Sequence, residues 1–152
     1  MQVNKEKMKE IFKRALGSGL MPHQLALSCA WGVYIAFSPF PGLHTVMMFI
    51  IKWLFGLHFP LLFLVTSLNN PWTMIPFFSG DYLFGYWLVH DILKWEPGWH
   101  LSLEKIFGSG SICLWSFFVG GNILGIISGV ITYPLALVIF KRMLRVQKEK
   151  LL

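Results

Sequence analysis

Three observations predict an all-α integral membrane protein. Apolar residues make up 55% of the 152 residues and only 13% are charged, which is far from the balance of a soluble globular domain. The apolar residues gather in two long tracts, 20–89 and 106–140. Turn-forming residues interrupt these tracts, so we expect a bundle of membrane helices with broken or re-entrant hairpins at 38–42 and 69–71.

Segment 1–19 is predicted to be a basic amphipathic helix that lies on the membrane surface. Its apolar residues share one helical face: Met8, Ile11, Phe12, Ala15 and Leu16. The segment lacks a short apolar core with a small-residue cleavage site, so we do not expect a removable signal peptide.

Basic residues flank the apolar tracts at both ends, within 5–14 and 141–150. By the positive-inside rule, both termini are predicted to lie on the cytoplasmic side of the membrane. We therefore divide the chain into the surface helix 1–19, a membrane domain 20–140 and a basic cytoplasmic tail 141–152. The net charge of +6 is interpreted as attracting anionic lipids and not nucleic acid.

Three interruptions of the apolar tracts are interpreted as helix starts. Ser38 before Pro39, and Asn70 before Pro71, each place a side-chain oxygen at the N-cap and a proline at the first helical position. Asn122, after two glycines, is expected to cap a third start. Three helix N-termini are therefore predicted within apolar sequence.

The segments between interruptions are about half as long as a membrane crossing. Segments 43–52 and 60–69 each correspond to about 15 Å of helix, against a hydrocarbon core of about 30 Å. This spacing favours short re-entrant helices. The alternative has Pro60 as a kink and full crossings at about 22–38, 43–68 and 72–89.

Small residues recur at every fourth position in two places, Ser28-Gly32-Ala36 and Gly121-Gly125-Gly129. Such faces let helices approach closely in lipid. They are expected to join helices either within one subunit or in a homo-oligomer.

The predicted helix starts are candidate ligand sites. A helix N-terminus carries unpaired N–H groups and a partial positive charge, which attract anions, and discontinuous transporter helices present such ends to acidic substrates. The side chains near the breaks that suit a phosphate oxygen are Ser38, His44, Thr45, Asn69, Asn70 and Thr73. The alternative is that these groups only satisfy backbone atoms exposed by the breaks.

Lys52 and Asp81 are opposite charges within the first apolar tract. They are candidates to gate or neutralise a passage for the ligand. The other interpretation is that each marks a membrane interface, because each adjoins an aromatic residue, Trp53 or Tyr82.

No enzyme motif is found. The five histidines form no i, i+4 pair with a carboxylate, so neither a metal nor another cofactor is expected. Neither paired acids nor a nucleophile–base pair is present, and the protein is therefore expected not to be an enzyme.

Two segments resemble a bacterial membrane family. Residues 30–45, AWGVYIAFSPFPGLHT, follow the pattern G-x-x-x-x-F-S-P-x-P-G-x-H-T, and LNNPWT contains N-P-x-T, followed by Tyr82 and Gly85. This pattern is similar to the family catalogued as domain of unknown function 2062, over roughly residues 25–140. Asn69 departs from the family pattern.

The resemblance implies a location in the bacterial inner membrane, with both termini cytoplasmic. It also implies a role at the cell envelope, since some relatives join this domain to a glycosyltransferase. The paired hairpins also resemble bacterial polyprenyl-phosphate transporters in form. We therefore expect a small transporter or flippase for an anionic lipid or a polyprenyl-phosphate type of envelope intermediate. The alternatives are a non-catalytic scaffold for a glycosyltransferase or another envelope enzyme and, more weakly, an ion channel formed by oligomerisation.

Overall fold

The computed structural model describes residues 21–39, 42–69, 72–94, 100–102 and 111–149. Its helices are α1 (Pro22–Phe37), α2 (His44–Phe55), α3 (Phe59–Thr66), α4 (Met74–Tyr86) and α5 (Leu114–Glu149), and α4 continues as a π-helical segment, Trp87–Ile92. The expected helical architecture is confirmed. Two short strands that the sequence did not predict, β1 (His100–Ser102) and β2 (Ser111–Cys113), pair in antiparallel register. The predicted surface helix 1–19 lies outside the described residues.

Helix α5 is the axis along which α1 packs. It contains 36 residues and is therefore about 54 Å long. A Cβ atom on Gly121 would lie 2.7 Å from the carbonyl oxygen of Phe37, and one on Gly129 would lie 3.1 Å from that of Ala30. Because later residues of α1 meet earlier residues of α5, the two helices are antiparallel.

Helix α4 packs against the N-terminal part of α5, before the part that contacts α1. A Cβ atom on Gly120 would lie 1.8 Å from the carbonyl oxygen of Asp81, and one on Gly85 would lie 1.7 Å from that of Ser116. Helix α4 is thus antiparallel to α5, as α1 is. The two shorter helices follow one another along α5 and meet beside Gly120.

Helices α2 and α3 form a hairpin beside α1. Gly56 follows α2 in the left-handed conformation, with φ of 60°, which suits a glycine at a helix C-terminus. The rings of Phe49 and Phe59 stack with their centroids 5.1 Å apart, and this contact requires the chain to reverse between them. At the turn, the N–H of His58 donates to Ser28 Oγ at 3.0 Å.

Helix α3 runs parallel to α1. A Cβ atom on Gly32 would lie 2.8 Å from Val65 Cβ, and Asn69 Nδ2 donates to the Ala36 carbonyl oxygen at 2.6 Å. One face of α1 thus packs against α3 and contains Ser28, Gly32 and Ala36. The other face of α1 packs against the glycines of α5, which are Gly121, Gly125 and Gly129. Both predicted small-residue faces join helices within one chain.

The helix start predicted at Ser38 is wrong. Ser38 follows the last residue of α1 and has an extended backbone, with φ of −62° and ψ of 127°. The cause is Pro39, because a residue that precedes proline is disfavoured from the α conformation. The next helix begins at His44, after Gly42 has turned the chain with φ of 88°.

The start predicted at Asn122 is also wrong, whereas the one predicted at Asn70 and Pro71 lies outside the described residues. Helix α4 begins at Met74 with Thr73 at its N-cap position. Asn122 lies inside α5, which is continuous from Leu114 to Glu149.

Among the described residues, one helical stretch is long and apolar enough to cross a membrane by length and composition, Leu114–Val146 of α5. The alternative single helix over 43–68 is wrong, because residues 56–58 separate α2 from α3. The re-entrant placement of these helices stays a prediction. The predicted tail boundary at residue 141 falls within α5, so the helix carries the first basic residues of the tail.

We predict that Gly120→Ala destabilises the protein, because its methyl group would overlap the Asp81 carbonyl oxygen. Overpacking of this kind costs about 1–3 kcal/mol. Gly80→Ala is the matched control, since a Cβ there meets no atom within 4 Å. Thermal unfolding in detergent should show a lower Tm for Gly120→Ala alone. Equal Tm values for the two variants would contradict the contact.

Candidate functional site

Helices α1, α4 and α5 meet at a region that we call the helix junction, which consists of Phe37, Ser38, Pro39, Asp81 and Gly121. A Cβ atom on Gly121 would lie 2.7 Å from the Phe37 carbonyl oxygen, 3.1 Å from Pro39 Cδ and 3.4 Å from Asp81 Oδ2. These atoms therefore surround one small region beside the glycine. The side chains of Ser38 and Asp81 are completely buried there.

Asp81 is a buried acid without a hydrogen-bond partner among the described residues. Its exposed fraction is 0%, and no described group donates to either carboxylate oxygen. Buried ionised carboxylates are normally paired or hydrogen-bonded, because they lose their hydration on burial. An unsatisfied carboxyl in a tightly packed region is therefore a candidate functional group.

The carbonyl end of α1 faces this acid. The last carbonyl groups of a helix lack intrahelical donors and give the C-terminus a partial negative charge. The Ala36 carbonyl oxygen accepts from Asn69, and His44 Nε2 lies 3.2 Å from the Ser38 carbonyl oxygen. The Phe37 carbonyl oxygen lies against Gly121. The junction thus combines a carboxylate with a negative helix end, which is the reverse of the positive end predicted from the sequence.

Two more buried polar atoms lack partners among the described residues, Asn69 Oδ1 and Ser116 Oγ. Asn69 is anchored through its Nδ2 atom to the last turn of α1. Ser116 lies one helical turn before Gly120 on α5. Unsatisfied oxygen atoms therefore occur on both sides of the junction.

A tyrosine–asparagine pair joins α1 to α5 next to the junction. The Tyr34 hydroxyl donates to Asn122 Oδ1 at 3.0 Å, and Asn122 Nδ2 donates to the Phe118 carbonyl oxygen at 2.8 Å. Asn122 therefore links two helices and does not cap one.

An apolar groove of about 490 Å³ runs along the α1–α5 pair. Small residues line its floor, and aromatic and aliphatic side chains line its walls: Ala30, Gly125 and Gly129, then Leu27, Trp31, Tyr34, Ile126, Val130 and Tyr133. Tyr34 belongs both to the groove and to the polar pair with Asn122. The groove therefore ends beside polar groups, one helical turn from the junction.

The structure brings four of the predicted site residues to the end of α1. Ser38 and Asp81 belong to the junction, and His44 and Asn69 contact its adjoining carbonyl groups. The interface interpretation placed Asp81 at the edge of the membrane beside Tyr82. In the structure Asp81 is buried, because α5 has glycines at that point and α4 can approach it closely.

The remaining predicted residues lie elsewhere. Thr45 and Lys52 are exposed on α2, and no ion pair joins Lys52 to Asp81 in the described structure, since the carboxylate has no partner. Thr73 Oγ1 donates to the Leu68 carbonyl oxygen. That contact satisfies a local backbone group, as the alternative interpretation expects.

Sequence reasoning missed Gly120 and Ser116. Their four-residue spacing is itself a small-residue pattern that precedes the Gly121 series. The spacing of Asp81 and Gly85 on α4 matches it. This shared spacing is the signal that could have located the contact.

The fold and the junction define a small helical protein in which one long apolar helix suggests membrane association and shorter helices enclose a buried acid. The chain belongs to the bacterial family described as uncharacterized protein conserved in bacteria (DUF2062), whose model matches residues 5–149. The resemblance found in the sequence is thereby confirmed. No curated protein and no solved structure matches the chain significantly.

We predict that Asn69→Ala lowers the free energy of unfolding by about 1–3 kcal/mol, because the Ala36 carbonyl oxygen loses its donor. Ser67→Ala is the control, since Ser67 Oγ donates only to the local Phe63 carbonyl oxygen among the contacts described. Denaturation in detergent checks both variants. An equal loss of unfolding free energy in Ser67→Ala would contradict a specific stabilising role for the hydrogen bond between α1 and the end of α3.

Proposed function

We propose that this protein resides in the bacterial inner membrane, binds a lipid with a phosphate-bearing headgroup and moves it between leaflets. The observation that carries the proposal is the apolar groove on α1 and α5, which at one end includes Tyr34 of the polar pair with Asn122. An apolar chain would occupy the groove, and the headgroup would lie near the junction.

Exposed apolar side chains support the membrane location. Trp53 and Trp72 are 83% and 86% exposed, and large apolar residues are exposed along both α2 and α5. Soluble monomers rarely expose apolar surface on this scale. Lipid chains would cover these faces without cost to the protein.

The lengths of α2 and α3 support the re-entrant arrangement. They contain 12 and 8 residues, or about 18 Å and 12 Å of helix, so neither reaches across a hydrocarbon core of about 30 Å. Their tight turn at 56–58 suits a hairpin that enters and leaves the membrane on one side. Such non-helical turns are tolerated at depth where protein covers them.

The groove has the size and the lining of a lipid-chain site. Its volume lies within the range of about 300–1,000 Å³ that is typical of small-molecule sites. Along α5, Gly129 of the groove lies about 12 Å from Gly121 of the junction, and Gly125 lies about 6 Å from it. A chain seated on the glycine floor therefore places its polar end close to Tyr34 and the junction.

Three donors are available to a phosphate group near this end: the Tyr34 hydroxyl, the Asn69 amide and the His44 ring. Each now contacts an oxygen atom of the protein, and a phosphate oxygen would replace that acceptor. Asp81 opposes an anion unless its charge is neutralised. An anionic headgroup at this site thus requires a positive species beside Asp81.

Ile126→Trp should block lipid binding, because Ile126 lines the groove and the indole would fill it. Ile127→Trp is the matched control, as Ile127 is also exposed on α5 but does not line the groove. In detergent, a polyprenyl monophosphate should raise the Tm of the parent and of Ile127→Trp. The rise in Tm of Ile126→Trp should be several-fold smaller. The neutral polyprenol should stabilise all three weakly.

Movement between leaflets is tested in proteoliposomes that contain a fluorescent lipid phosphate, with dithionite to bleach the outer leaflet. The parent should expose more than half of the fluorophore, and Ile126→Trp should behave as empty vesicles. Equal stabilisation of both tryptophan variants would refute the groove as the site. Binding without any movement would refute transfer between leaflets.

A further inference from the structure

We propose that the helix junction binds a small monovalent cation, a proton or Na⁺, between the Asp81 carboxylate and the Phe37 carbonyl oxygen at the C-terminus of α1. This inference stands on the junction itself and does not depend on lipid binding. The carboxylate is completely buried, and both of its oxygens lack a partner among the described residues.

The charges around the junction are all of one sign. A carboxylate contributes a full negative charge, and the end of α1 contributes a partial one. In a medium of low dielectric constant, such groups repel each other more strongly than in water. A bound cation would remove this repulsion, and half-helix C-termini with free carbonyl groups hold Na⁺ or protons in transporters.

In the part of the chain that the structure describes, α1, α4 and residues 114–140 of α5 carry no lysine or arginine. Helix α5 carries no charged residue between Leu114 and Phe140, and its closest ionisable side chain to the junction in sequence is Tyr133, about 18 Å along the helix from Gly121. On α1, the Tyr34 hydroxyl donates a hydrogen bond to Asn122 Oδ1. The ring of His44 lies at the Ser38 carbonyl oxygen.

On its own helix, the ionisable residues that follow Asp81 are Tyr82, Tyr86, His90 and Asp91. His90 is the one of these that can carry a positive charge, and it lies about 13 Å farther along the helix. A cation from solution would therefore gain from binding at the helix junction.

The size of the region limits the ligand. The Phe37 carbonyl oxygen and Asp81 Oδ2 both lie within 3.4 Å of the same point beside Gly121, and Pro39 closes that side. Packing this close excludes bulky organic cations, so only a proton or a small ion such as Na⁺ is proposed as the ligand.

The test uses the full chain in detergent without added lipid. Tm is measured for the parent, Asp81→Asn and Asp91→Asn, across a pH series and in Na⁺ against K⁺. Asp91 is exposed, so Asp91→Asn is the matched control. A tenfold rise in a saturating cation should raise the Tm of the parent and of Asp91→Asn by about 3–5 °C. Asp81→Asn should lose most of this response.

The two cations give different results. Stabilisation by Na⁺ over K⁺ at fixed pH identifies a sodium site. Stabilisation by lower pH in either salt identifies a proton site. Either result supports the proposal if Asp81→Asn abolishes it. Identical responses of all three proteins to pH and to both salts would overturn it.

A chemical measurement on the parent protein applies even if Asp81→Asn does not fold. Dicyclohexylcarbodiimide adds the O–H of a neutral carboxyl group across one C=N bond, and the adduct rearranges to an N-acylurea without a leaving group. Mass spectrometry should find one reagent on the peptide that contains Asp81, and either Na⁺ or higher pH should reduce the yield. No labelling of Asp81 at any pH, with Asp91 labelled at low pH, would contradict the site.

Discussion

The backbone contact at Gly120 and Gly121 is the constraint on which the rest of the structure depends. At these two glycines the carbonyl groups of Asp81 and Phe37 approach α5 more closely than any side chain would permit. In lipid there is little hydrophobic drive between helices, so close packing and its dispersion energy hold them together. The same contact aligns α1 and α4 end to end along α5, and it thereby encloses the carboxyl group of Asp81.

The chemistry of the junction follows from the direction of α1. Had a helix begun at Ser38, its N–H groups would have faced the site and attracted an anion. Because α1 ends there, carbonyl groups face the site and a cation is favoured. The proposed lipid and the proposed cation are compatible, since a neutralised Asp81 no longer repels a phosphate group in the adjoining groove.

Much of the fold is present in local sequence patterns. The small-residue faces of α1 and α5 and the short segments before and after residue 58 follow from spacing and composition. The sequence does not determine whether a helix starts or ends at Ser38, because serine before proline is compatible with both. The extended backbone of Ser38 shows that a helix ends there. The burial of Asp81 was also not predictable, since it depends on glycines some forty positions later in the chain.

The end-to-end arrangement of α1 and α4 is tested most directly by nuclear Overhauser contacts in detergent micelles. The rings of Phe37 and Phe77 lie with their centroids 4.8 Å apart, and the Tyr34 ring packs on Gly125. The account predicts cross-peaks between the two phenylalanine rings and between the Tyr34 ring and the Gly125 α-protons in one sample. Cross-peaks from Tyr34 to Gly125 without any between Phe37 and Phe77 would show that α1 packs on α5 while α4 lies elsewhere, and would contradict the junction.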